Sequence, residues 1–179
     1  MTLPEPVARL WEDLEAARAE VLREAEAVSQ PQADWKPGDR DWSIGEIVHH
    51  LTVAEVATGK LTTKLFKEYP AGAPQAFPAD LTSFAPLPGP SGPGEAPQAV
   101  WPEHGRPIAG LLADMRAARA RSRQSVERLA TCDPRTLRFR HFRLGDLDLA
   151  QWWTLQADHD RTHLAQMRDV KARAGFPAA

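Results

Sequence analysis

The chain has 179 residues, a formal net charge of -2 and one cysteine, Cys132. Near-neutral charge argues against nucleic acid as a partner, because phosphate binding leaves a basic footprint. A lone cysteine excludes an intrachain disulfide and any cysteine-based zinc site. The N-terminus shows no signal peptide, and no apolar run is long enough to span a bilayer, so a cytoplasmic protein away from membranes is expected.

The first predicted helix runs from about Pro4 to Val28. Val7, Leu10, Trp11, Leu14, Ala17, Val21, Ala25 and Val28 recur at three- and four-residue steps and form one apolar stripe, with Glu and Arg on the other face. Ser29 to Arg40 contains Pro31, Pro37 and Gly38 and reads as a connection. Trp35 within it is expected to pack on the end of the helices.

The second predicted helix has a marked start. Ser43 is the N-cap, Glu46 completes a capping box, and Trp42 with Ile47 forms a hydrophobic staple. Ile47, Leu51, Ala54, Thr58, Leu61 and Leu65 give the inward stripe, and the helix is expected to end near Tyr69. Pro70 to Pro107 holds ten of the sixteen prolines and five glycines. It cannot be a long helix, and it is too long for a tight turn. It is predicted to be a crossover joining parallel neighbours, with Phe77, Leu81, Phe84, Leu87 and Trp101 packed on the helices.

The third predicted helix covers about Ile108 to Ala130. Its stripe is small at Ala118 and Ser122, which leaves space inside. Arg116, Arg119, Arg121, Arg123 and Arg128 scatter around it and read as a solvated, ion-paired face. Arg138 to Gly145 is expected to be loop or short extended chain. The fourth helix starts near Asp148, an N-cap with Gln151 at the box position, and runs to about Arg173. Trp152 and Trp153 are expected in the core, and Cys132 is read as structural. The fold class is therefore all-α: one four-helix bundle over residues 1–179, with 70–107 as the crossover.

His159 and His163 stand four residues apart on the fourth helix, so both leave one side. On a helical wheel both fall inward. On the second helix His50 lies at the inward edge, while His49 points to solvent or a partner. Two imidazoles one turn apart, with a third from a neighbouring helix, can bind one transition metal. The same pattern fits imidazoles satisfied by each other or by water, so both readings stand open. Asp160 is expected to be an ordinary exposed acid, although His159-Asp160-Arg161-Thr162-His163 approaches the pattern of zinc hydrolases with Asp as general base. Gln166 and Glu46 are candidates to orient a histidine. Glu46-Ile47-Val48-His49 has the spacing of a di-iron motif, but no second copy exists on another helix.

Trp42-Ser43-Ile44-Gly45-Glu46-Ile47-Val48-His49-His50-Leu51 resembles the second-helix signature of the DinB/YfiT-like metalloenzymes. His159-Asp160-Arg161-Thr162-His163-Leu164-Ala165-Gln166 resembles their fourth-helix signature. His141-Phe142-Arg143-Leu144-Gly145-Asp146-Leu147 is similar to the approach to that helix in some members. The resemblance implies an up-down-down-up bundle, often a homodimer, with a divalent metal on three histidines; these carry onto His50, His159 and His163. Zinc or nickel is the expected ion. The resemblance also implies a small electrophilic substrate and a low-molecular-weight thiol cosubstrate, as in relatives that are thiol-dependent S-transferases or isomerases. No catalytic side chain is assigned. The alternatives are a metal-dependent hydrolase and a non-catalytic, stress-related binding or dimerisation module.

Overall fold

A computed structural model describes residues 2–68, 77–83 and 96–178. They are mostly helical. The long helices are α1 (Glu5–Glu26), α3 (Ile44–Glu68), α4 (Ile108–Arg128) and α5 (Leu149–Ala172), and α2 (Gln30–Asp34) is a single short turn of helix. Two short strands, β1 (Arg138–His141) and β2 (Gly145–Asp148), form an antiparallel hairpin ahead of α5. The chain is mostly helical, as expected, and the loop or short extended chain expected over Arg138 to Gly145 pairs into this hairpin. Its turn closes through Gly145, whose φ of 75° lies where side chains other than glycine are strained.

Helix starts follow the capping chemistry. The Ser43 backbone N–H donates to Glu46 Oε2 at 2.7 Å, and the Glu46 N–H donates to Ser43 Oγ at 3.2 Å. Asp148 and Gln151 make the same reciprocal pair at the head of α5, at 3.0 and 2.9 Å. A third box, Ser29 with Gln32, starts α2. That helix packs on α3 where Gly45 has no side chain, since a Cβ there would lie 3.1 Å from the Ala33 carbonyl oxygen.

α3 packs on α4 and α5, and α1 packs on α5 and α4. Contacts between α1 and α5 run in the same sense, from Arg18 with Asp160 to Glu24 with Lys171. Those between α3 and α5 run in opposite senses, from His50 with His159 to Trp153 with Thr62. The apolar core lies in two clusters. One centres on Val21, Ile47, Leu51, Met115 and Met167, the other on Leu14, Val126, Leu149 and Trp153. Trp35 meets Phe176 edge-on at 5.5 Å beside the first cluster. Phe77 and Leu81 pack against the second.

Trp101, expected to pack inward, is 48 % exposed, with its indole N–H given to the Ala96 carbonyl. Tyr69, Phe84 and Leu87 lie outside the described residues. Among those residues, no helix is long and apolar enough to cross a membrane.

Between the two clusters sits a buried polar layer. Arg18, Glu55, Arg119 and Asp160 come from four different helices, and none is more than 5 % exposed. Arg18 Nη2 meets Glu55 Oε2 at 2.9 Å and Asp160 Oδ1 at 2.7 Å. Arg119 Nε meets Glu55 Oε1 at 2.8 Å, and its Nη2 meets Asp160 Oδ2 at 3.2 Å. Two cations and two carboxylates so arranged leave no net buried charge. The space left by Ala118 and Ser122 adjoins this layer at Glu55, and the Ser122 hydroxyl donates to the Ala118 carbonyl oxygen at 3.1 Å. Two sequence expectations are thereby corrected. Asp160 is not an exposed acid, and Arg119 is not on a solvated face; each is held inside by opposite charges from other helices.

Candidate metal centre

α3 presents His50 and α5 presents His159 and His163, and the three rings meet. Their centroids lie 4.9 Å apart for His50–His159 and His50–His163, and 4.6 Å apart for His159–His163. Nε2 of His159 is 3.1 Å from Nε2 of His50 and 3.0 Å from Nε2 of His163. One nitrogen from each ring lies within 4.8 Å of the other two, so the trio could hold a metal ion.

The other ring nitrogens are tied outward. His50 Nδ1 is 2.7 Å from the Val100 carbonyl oxygen, which only accepts, so the proton sits on Nδ1. His163 Nδ1 is 2.6 Å from Gln166 Oε1, one turn further along α5, and donates to it in the same way. In the neutral rings both Nε2 atoms then carry lone pairs. His159 has a single Nε2 site to share between them. If that site bears a proton it serves one neighbour and leaves the other lone pair without a donor; if it is bare, lone pair faces lone pair at both contacts. A cation among the three accepts all the lone pairs together. The donor set therefore fits a borderline transition metal such as zinc or nickel.

The surroundings keep the rings neutral. Burial pushes His163 down to about 3, with His50 adding to the effect and Gln166 opposing it. Burial also drives His159 well below the usual histidine range, helped by His163 and His50. His50 is lowered by burial, against the pull of the Val100 carbonyl. Trp42 covers the site from one side, with its ring 4.7 Å from that of His50 and stacked 5.8 Å from that of His163.

His49 does not face solvent or a partner. It is buried beneath the chain that returns to α4, and its Nδ1 accepts the Glu103 N–H at 2.8 Å. Glu46 gives its carboxylate to Ser43 and to Lys36 at 3.3 Å, with His104 at 3.6 Å, rather than to His50, His159 or His163. Asp160 cannot serve as a base towards the site. Its Oδ1 takes Arg18 Nη2 at 2.7 Å, and its Oδ2 takes Arg18 Nε at 2.9 Å and Arg119 Nη2 at 3.2 Å.

Sequence reasoning missed Arg18 and Glu55, although a signal existed. Each stands four residues after a buried stripe residue, Leu14 and Leu51, so each falls on an inward face. Val100 gave no signal, because its contribution is a backbone carbonyl. A cavity of about 360 Å³ opens beside His50 and His159. Trp152, expected in the core, instead forms part of its wall, while Trp153 is fully buried. Cys132 is buried in the second cluster, remote in the core from the histidines.

Comparison with known proteins agrees with this picture. The DinB superfamily profile matches residues 13–167. The chain is 24 % identical over 159 residues to the uncharacterized protein YuaE of Bacillus subtilis (strain 168), covering 88 % of this chain and 94 % of that one. No solved structure matches.

Proposed function

The chain belongs to the DinB superfamily, and on that premise we propose that it is a metal-dependent enzyme of the thiol S-transferase type. His50, His159 and His163 would hold one divalent ion, zinc or nickel. A bound ion of this kind supplies positive charge that favours the ionised form of a thiol or water at its open positions. The observation that carries the reading is the convergence of three imidazoles, two with their protons tied outward, with His50 and His159 lining a cavity.

The chain's own residues bind and orient. Val100 and Gln166 fix the ring faces of His50 and His163. Trp42 shields those rings from water. The cavity contains no cysteine, so the thiol would arrive with a low-molecular-weight cosubstrate and attack a small electrophile seated there. Hydrolysis is the weaker reading, because Asp160, its candidate base, is turned into the ion layer.

We place this chemistry in a cytoplasmic homodimer of single-domain subunits. The four long helices would form an up-down-down-up bundle, with residues 70–107 crossing between α3 and α4. The sense of the α1–α5 and α3–α5 contacts supports that order. Elemental analysis of the protein purified without chelator tests the core of the proposal. One zinc or nickel per chain is expected, and a metal-free protein that stays metal-free in added zinc would overturn it. Turnover of an electrophile in the presence of a thiol, and none with water alone, separates transfer from hydrolysis.

A further inference from the structure

The cavity beside the histidines has the volume of a small-molecule site. α3 contributes Ala54 and Ala57, whose small side chains leave room, and Leu61. The opposite wall is aromatic: Trp152 from α5, and Phe139 and Phe142 from the hairpin. Trp152 Nε1 donates to the Phe139 carbonyl oxygen at 3.2 Å, which pins the hairpin to the helix.

His141 also lines this space. Its Nδ1 lies 3.2 Å from the Arg143 backbone N–H and 3.3 Å from that of Leu144. Backbone N–H groups only donate, so Nδ1 accepts and the neutral ring carries its proton on Nε2, the nitrogen on the far side of the ring. Phe142 at 4.6 Å and Trp152 at 5.0 Å hold the ring in place. The site thus combines mainly apolar walls with a few polar side chains, Thr58, Gln156 and Arg143 among them, and the His141 N–H, the combination that orients a ligand in a mainly apolar pocket.

The geometry points to a substrate with a ring-sized apolar body and an oxygen acceptor, and to His141 Nε2–H as the group that binds that oxygen. This inference rests on the cavity being the substrate site of the proposed enzyme. It names what the site selects: an aryl or similar cyclic acid or carbonyl compound in preference to a small aliphatic one. The role of His141 is to bind the substrate, since it lines the same cavity as His50 and His159 but is not one of the three histidines whose nitrogens converge.

Calorimetric titration with benzoate and with acetate tests this, on protein freed of metal by chelation and again after zinc loading. The expected result with metal-free protein is benzoate binding at least about tenfold tighter than acetate. His141→Phe should lower benzoate affinity by about tenfold, the worth of one hydrogen bond. His141→Gln, which keeps a side-chain N–H, should retain most of it. Ala57→Trp, which fills the cavity, should abolish the preference for benzoate. Circular dichroism shows that each variant keeps its helices. Equal affinities for benzoate and acetate, or a His141→Phe variant that binds like the parent, would overturn the inference. Because the metal-free arm needs no ion, that result is separate from a failure to load zinc, which would count against the metal centre alone.

Discussion

Arg18 and Asp160 are 142 positions apart in the chain and form a two-pronged salt bridge, Nε to Oδ2 at 2.9 Å and Nη2 to Oδ1 at 2.7 Å. Asp160 directly follows His159, so the pair fixes α5 against α1 at the level of the candidate metal centre. Asp160→Ala would leave the Arg18 and Arg119 charges short of one carboxylate in the interior. Removing one partner of a buried pair costs about 3–5 kcal/mol. Urea unfolding should show a loss of that size; a change below about 1 kcal/mol would mean the layer carries no stability.

The same layer sets an acid limit. Burial pushes Glu55 up, but Arg18 and Arg119 pull it further down, so its folded pKa lies below the unfolded value of 4.5. Arg18 from α1, Arg119 and Ser122 from α4, and Asp160 from α5 are the charged and hydrogen-bonding groups packed about it. An unfolded chain then binds the proton more readily than the folded one. The stability Glu55 contributes is fully present above pH 4.5 and is lost as pH falls towards its folded pKa. Unfolding free energy measured from pH 7 to pH 3 should drop over that acid limb, and Glu55→Gln should flatten the drop. A profile identical in the variant would remove Glu55 from the acid response.

Each of His50→Ala, His159→Ala and His163→Ala should reduce bound zinc or nickel to well below one per chain. Circular dichroism should show the helices retained. A variant that keeps full metal content would remove its histidine from the ligand set. In the parent protein, chelation should lower the melting temperature. An ion present at a hundred times its dissociation constant stabilises the folded state by about 2.7 kcal/mol.

Gln166 touches the site only through His163 Nδ1, at 2.6 Å. Gln166→Ala frees that ring to rotate and to change tautomer. Metal affinity should fall about 10- to 100-fold, as is usual when the partner of a histidine ligand is lost, with stoichiometry unchanged at saturation. Competition with a chromophoric chelator measures this. Undiminished affinity would show that packing by Trp42 alone orients His163.

The long helices were legible in the sequence because helix formation is periodic and locally capped. Ser43 with Glu46, and Asp148 with Gln151, announce helix starts within four residues, and the apolar stripes put His50, His159 and His163 on inward faces. The wheel erred where a residue's environment comes from elsewhere in the chain. His49 reads as outward on its own helix, yet the segment at Glu103 covers it. Asp160 and Arg119 read as surface charges because a buried ion is tolerable only beside its partners, and those partners lie on other helices.

By itself the sequence determined where the helices lie and which imidazoles face inward, since both follow from spacing along one helix. Only the tertiary structure decided that the three rings meet, that the Val100 carbonyl holds the His50 proton outward, and that a hairpin walls the cavity beside them. These depend on distances between segments far apart in the chain, and on backbone atoms that every residue type shares, so no local pattern encodes them.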